Sequence, residues 1–339
     1  MKLFNKQEEY VILNDMDERE INEFLYKGAD DLWAYDLWEK HENLHWLPRE
    51  VPMKDDVYDW NSRLSEGDRM FLKGVMSFFT QADIEVHNTY IHEYLPYANT
   101  LGVSQMLTGF AARECIHVMG YAYGLEELVK GAEQDSVFRK WMVDDNLLKL
   151  HEALNKYKGS EDTEHRFKHM VATTLFGEGV MLFAQFAMLL NYARNGYMRG
   201  LGQIVSWSIR DEDCHVYGVT QLMKRDGMFR VHPQSTRLSW YNDVHDEVWP
   251  LILTFAKDCF DEYSKGTCLT EQLTFQDVQQ FLEFQAQRRM RQAGISTEET
   301  TKNNLLWFDA MVAGVEHANF FEQRATEYSK GNLTGDYEY

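Results

Sequence analysis

The pattern Glu-x-x-His occurs three times in this chain, at Glu42–His45, Glu114–His117 and Glu212–His215. On a helix, positions i and i+3 lie about 60° apart, so one metal ion can reach both side chains. Glu42–His45 stands in WEKHENLHW, dense in charge and just before Pro48, and reads as a solvated face. The other two lie in apolar surroundings, GFAARECIHVMGYAYG and IVSWSIRDEDCHVYG. Each is preceded by a lone acid in an apolar stretch: Asp83, 31 residues before Glu114, and Glu178, 34 residues before Glu212. The order carboxylate, then Glu-x-x-His, thus appears twice, as in four-helix di-metal carboxylate bundles. Four buried carboxylates without cations repel and lose hydration. Two divalent ions would neutralise them, and an oxygen and nitrogen donor set suits iron or manganese. The competing reading is a bundle with buried ion pairs, but no basic residue stands near Glu178 in sequence.

Other residues near the motifs are weighed against this set. Cys115 and Cys214 are turned about 100° and 200° from the glutamate before them, away from the Glu/His edge, and read as small core residues. Glu85 and His87 lie close to Asp83 but are redundant once six ligands are in place. Tyr121 follows Glu114 by seven residues, nearly two turns, which puts its ring on the metal-facing side. Leu182 and Phe186 follow Glu178 at one and two turns and face the same interior. A tyrosine walled in beside a metal pair can be oxidised by one electron. In a chain with 14% aromatic residues, it can equally be plain core.

The elements that must position these residues are helices. Residues 97–232 contain no proline, and their apolar residues recur at three- and four-residue spacing. The expected helices run from after Ser65 to before Pro96, about 104–131, 163–195, 200–227, 236–264 and 272–293. The expected architecture is a single all-α domain over 1–324, with an acidic tail over 325–339. The net charge of −20 argues against gripping a nucleic-acid backbone. The apolar run Gly179–Leu190 is shorter than the roughly 20 residues of a membrane span. Four scattered cysteines and an N-terminal segment without a signal-like apolar run predict a cytoplasmic protein.

On these residues the sequence resembles the small, radical-generating subunit of class I ribonucleotide reductase, over roughly residues 30 to 330. The family's ligand order falls on Asp83, Glu114, His117, Glu178, Glu212 and His215, and its radical tyrosine matches Tyr121. Its W-x-P-x-E-V segment resembles Trp46 to Val51, its R-D-E-x-x-H segment Arg210 to His215, and its F-F-E-x-R-x-T-E-Y segment Phe320 to Tyr328. The resemblance implies a ferritin-like helical bundle holding two iron or manganese ions that react with dioxygen. It implies a radical relay from Tyr121 past His117, through Asp211 and Trp46, and out by Tyr328. It further implies a homodimer, and a large catalytic subunit docked by the C-terminal tail. Ser208, one turn before Glu212, puts a hydroxyl where that family's pocket is usually apolar, able to bond a metal-bound water or Tyr121. The alternatives are a di-metal oxidase or hydroxylase acting directly on an organic substrate, which needs none of Trp46, Asp211 and Tyr328, and a ferritin-like metal store.

Overall fold

This computed structural model describes residues 32–130, 133, 144–225, 227–296 and 300–313. All regular structure among the described residues is helical. The elements are α1 (Leu32–Asn43), α2 (Lys54–Ser62), α3 (Glu66–Thr89), α4 (Leu101–Leu128), α5 (Asp145–Leu154), α6 (Thr163–Arg194), α7 (Arg199–Arg225), α8 (Gly227–Arg230), α9 (Gln234–Tyr263) and α10 (Phe275–Gln292). The six expected helices are present, with ends shifted by a few residues. α1, α2, α5 and α8 are additional, and are too short for their apolar spacing to stand out in sequence. The expected tail lies outside the described residues.

The helix starts are written locally. Ser65 and Thr274 form reciprocal capping boxes with Asp68 and Asp277, and Thr100 and Asp162 accept from the first turns of α4 and α6. α3 does not stop at Thr89. It loosens into a π turn, Tyr90–Tyr94, and then a short 3-10 turn, Leu95–Tyr97, that takes up Pro96. α6 has a π-helical middle, Val171–Met181, which contains Glu178. π segments are rare and concentrate at functional sites. α6 is also the one described helix apolar and long enough to cross a membrane, but 94% of its most apolar window is buried within the fold.

The four site-bearing helices α3, α4, α6 and α7 share one continuous core. Two further contacts anchor α6 and α7 to neighbouring helices. Arg289 of α10 is fully buried and donates to the Gly179 carbonyl at 3.0 Å, which only a glycine there permits, since a Cβ would stand 2.9 Å from its Nε. Asp56 of α2 caps α7 from a distance in sequence. Its two oxygens accept from the backbone N–H of Gly200 and Leu201, both at 2.8 Å, while Asp59 accepts from Met198 at 2.9 Å.

Asp56→Ala would leave two buried N–H groups without acceptors at the start of the helix that carries Glu212 and His215. The expected cost is about 2 kcal/mol, read as a lowered urea midpoint in metal-free protein. An unchanged midpoint would show that α7 is held by packing alone.

Candidate metal centre

Asp83 reaches inward from α3, Glu114 and His117 from α4, Glu178 from α6, and Glu212 and His215 from α7, each at most 2% exposed. The donor atoms fall into two overlapping groups. Glu114, Glu178, Glu212 and His215 form one, and Asp83, Glu114 and His117 the other, with the atoms of each within 4.8 Å of one another. Glu114 belongs to both. Its Oε2 is 3.1 Å from His117 Nδ1 and its Oε1 is 2.7 Å from His215 Nδ1. Glu212 also spans the pair, 3.1 Å from His117 Nδ1 and 3.5 Å from His215 Nδ1. Glu42 and His45 are exposed and take no part.

Four buried atoms here lack a hydrogen-bond partner among the described residues: Asp83 Oδ2, Glu114 Oε1, Glu212 Oε2 and His215 Nδ1. The 2.7 Å pair Glu114–His215 is attractive but not aligned as a hydrogen bond. Buried groups are nearly always satisfied, so lone pairs converging without partners are what a site for metal cations requires. The donor set fits iron or manganese.

Without metal, protons take up the charge problem. Burial, reinforced by Glu114, pushes Asp83 well above the usual carboxylate range, and burial with Glu212 and Glu114 does the same to Glu178. Burial alone would lower the histidines. The Glu114 carboxylate outweighs it, holding His117 well above its ordinary value and His215 up at about 10. The two histidines in turn overcome the effect of burial on Glu114 and bring it down to about 2.

Both histidines turn Nδ1 inward and Nε2 outward, to different partners. His117 Nε2 lies 3.3 Å from Asp211 Oδ2. The same oxygen accepts from Trp46 Nε1 at 2.7 Å and from Arg113 Nη1 at 2.9 Å. The Trp46 ring stacks on His117, with centroids 6.0 Å apart, and packs against Trp207 at 5.2 Å. Burial would raise Asp211, but its bonds to His117 and the charges of Arg113 and Arg210 keep it ionised far below the usual range. His215 Nε2 instead meets His41 Nε2 at 3.2 Å. Burial lowers His41 to about 4, so it is neutral and can accept the proton that fixes the tautomer of His215.

Tyr121 is 1% exposed, 5.0 Å from the Phe79 ring, which in turn packs on Phe186 at 4.7 Å. Leu182 is buried as expected. Ser208 lies beside the Tyr121 phenol and donates to the Ile204 carbonyl at 3.1 Å. Cys214 is half-buried, its thiol pushed up to about 12 by burial. Cys115 is a correction: it is exposed, because the 100° step off the Glu/His edge carries it to the outer face of α4, beside His87 at 3.6 Å. Beside Glu178 lies a mainly apolar cavity of about 80 Å³, lined by Phe78, Ala82, Val86, Leu150 and Met181. Tyr328 lies outside the described residues.

Residues 23–300 match the family described as ribonucleotide reductase, small chain. The chain belongs to this family. It is 32% identical over 336 residues to a probable ribonucleoside-diphosphate reductase small subunit, 376L, of Invertebrate iridescent virus 6, covering 89% of this chain and 92% of the relative. It shares its fold with a putative class I ribonucleotide reductase from Bacillus halodurans (TM-score 0.71, 22% identity, 82% of this chain and 99% of that one). The same holds for the dimanganese(II)-NrdF of Streptococcus sanguinis (TM-score 0.70, 19% identity, 80% of this chain and 91% of that one). As a ribonucleotide reductase small chain it works with a large subunit, and membership in this family does not favour a free-standing oxidase or a metal store.

Three residues of the small chain's centre were not singled out in sequence: His41, Tyr90 and Arg113. His41 sits in the same charged run that marks Glu42–His45 as surface. Tyr90, whose hydroxyl donates to Glu178 Oε2 at 2.6 Å, is one of 18 tyrosines and stands 88 residues from its partner. Arg113, next to Glu114, carried a signal in its burial within an apolar run.

Metal ligation requires the protons on His117, His215, Asp83 and Glu178 to leave. The metal-free fold binds more protons here than the unfolded chain, whose histidines titrate near about 6.5. Its stability therefore falls as pH rises from there through about 10, the value for His215. The gain in melting temperature on adding Mn(II) should widen steadily from about pH 6 to about pH 9. A gain independent of pH would contradict this protonation of the site.

Proposed function

We propose that this chain generates and holds the one-electron oxidant of a ribonucleoside-diphosphate reductase and passes it to the large subunit. Asp83, Glu114 and His117 would hold one metal ion, and Glu178, Glu212 and His215 the other, with Glu114 placed to bridge. The pair, iron, manganese or one of each, supplies the oxidising power when it has reacted with dioxygen. The observation that carries this reading is the shared oxygen of Asp211, which ties His117 to Trp46 through two hydrogen bonds. A site that oxidises a bound substrate, or stores metal, has no use for an indole wired to a ligand histidine. The cavity beside Glu178 also fits a diatomic gas better than an organic substrate, which needs several hundred Å³.

The surrounding side chains have assigned tasks. Tyr121 would give one electron to the oxidised metal pair and its phenolic proton to a carboxylate of the centre, Asp83 being the one that acts most strongly on its hydroxyl. The Ser208 hydroxyl, donating to the Ile204 carbonyl, lies beside that phenol. Phe79, Phe186 and Leu182 exclude water that would quench the radical. Asp211, kept ionised by Arg113 and Arg210, accepts from the Trp46 indole and orients it. The path then leaves by Tyr328, on a tail, 325–339, that docks the large subunit.

The body of the chain, 1–324, acts as one domain in a cytoplasmic homodimer. The outer side of α3 and α4 supports the dimer: around the His87–Cys115 contact, Ile84 and Met119 are 40% and 44% exposed.

Tyr121→Phe should keep full metal loading while ribonucleotide reduction with the large subunit falls at least about 100-fold, since each lost 1.4 kcal/mol is already tenfold. Retained turnover would assign the oxidant to the metal pair or to another residue of the centre, and remove Tyr121 from the relay. Tyr328→Phe should leave metal content and radical yield unchanged and abolish turnover. Wild-type turnover in that variant would remove Tyr328 from the relay.

A further inference from the structure

Tyr90 is fully buried and begins the π turn into which α3 loosens. Its hydroxyl donates to Glu178 Oε2 at 2.6 Å, and Glu178 sits in the π-helical part of α6. Both ends of this hydrogen bond are therefore presented by unusual backbone. The Tyr90 ring stands edge-on to His215, with centroids 5.7 Å apart, and to Phe110 at 5.8 Å. It thus touches the Glu178 and His215 half of the centre, whereas Tyr121 lies on the side of Asp83.

We propose that Tyr90 is a second oxidisable tyrosine of the centre, able to hold the one-electron hole in place of Tyr121. This rests on the reading above, that an iron or manganese pair oxidised by dioxygen forms here. In the step, Tyr90 gives one electron to the oxidised metal pair, which is reduced by one electron. Its O–H bond breaks, and the proton passes along the existing hydrogen bond to Glu178 Oε2. The ring is left as a neutral phenoxyl radical. Electron and proton leave the same hydroxyl for the same neighbour, so no isolated charge is created in a site closed to water, where one would be costly.

The partners of three buried tyrosines distinguish them. Tyr121 faces the neutral Ser208 hydroxyl. Tyr94, whose ring is 5.6 Å from that of Tyr90, shares its hydroxyl with Thr173 and Thr174 at 2.6 and 3.0 Å, neither of them a base. Tyr90 has the Glu178 carboxyl group, joined by a short bond at 2.6 Å, and metal ligation would leave that group ionised and able to accept the proton. A tyrosine serving only to orient Glu178 would make the same bond without being oxidised, so the test must see the radical itself.

The test uses the full chain carrying Tyr121→Phe, with 3-fluorotyrosine in place of Tyr90. Fluorine keeps the hydroxyl, its hydrogen bond and the packing of the ring. The protein is loaded with Fe(II), or with Mn(II) and Fe(II), exposed to air, frozen within seconds and examined by electron paramagnetic resonance. The expected result is a tyrosyl signal in the Tyr121→Phe chain that gains fluorine splitting when position 90 is fluorinated. A signal unaltered by fluorine, or none while the wild type shows one, would overturn the proposal and leave Tyr90 as an orienting residue. If the wild type also forms no radical under either metal regime, the proposal falls together with the reading beneath it.

Discussion

Four carboxylates cannot share one dry volume of protein unless positive charge joins them. Asp83, Glu114, Glu178 and Glu212 are each at most 2% exposed and interleaved with two histidines. Arginines are available nearby and are kept out. Arg289 is spent on Asp213 and the Gly179 carbonyl, and Arg113 on Asp211 and backbone carbonyls of the α1 region. The centre is thus left with lone pairs that nothing among the described residues satisfies, and with protons in its metal-free form where cations would stand. The helix arrangement serves that end. Four helices each contribute donors, and their register is pinned by distant contacts such as Asp56 on the start of α7.

The two histidines show how one motif used twice can serve two purposes. His117 leans on an ionised aspartate that also holds an indole, so its half of the centre has a hydrogen-bonded way out. His215 leans on a neutral histidine, and its companion Glu178 accepts from a tyrosine. A carboxylate partner makes a histidine ligand more basic, whereas a neutral imidazole only orients it. The outer partners therefore make the two metal positions chemically unequal although the motifs that supply them are alike.

Much of this was legible in the sequence. The doubled Glu-x-x-His order names all six converging side chains, because i,i+3 spacing on a helix is a local rule and the apolar flanks announce burial. Trp46 and Asp211 were legible through the resemblance, and their 2.7 Å bond spans 165 residues. Tyr90 and His41 were not, since nothing local separates them from other tyrosines and surface histidines. Their importance comes from partners 88 and 174 residues away. Cys115 went wrong for a related reason: periodicity told which way it turned from the Glu/His edge, but not that among the described residues no neighbour covers that side of α4. The π segments around Tyr90 and Glu178 were equally hidden, because they follow from packing and have no cap or spacing of their own.

The central claim, that this cluster is a two-metal centre, is tested most directly by anomalous diffraction from crystals of the full chain grown with Mn(II) or Fe(II). The account predicts two peaks per chain about 3.5–4 Å apart, one beside Asp83 and His117 and the other beside Glu178 and His215, with Glu114 between them. A single peak, or metal bound elsewhere with Asp83 or Glu178 turned away from the histidines, would contradict it.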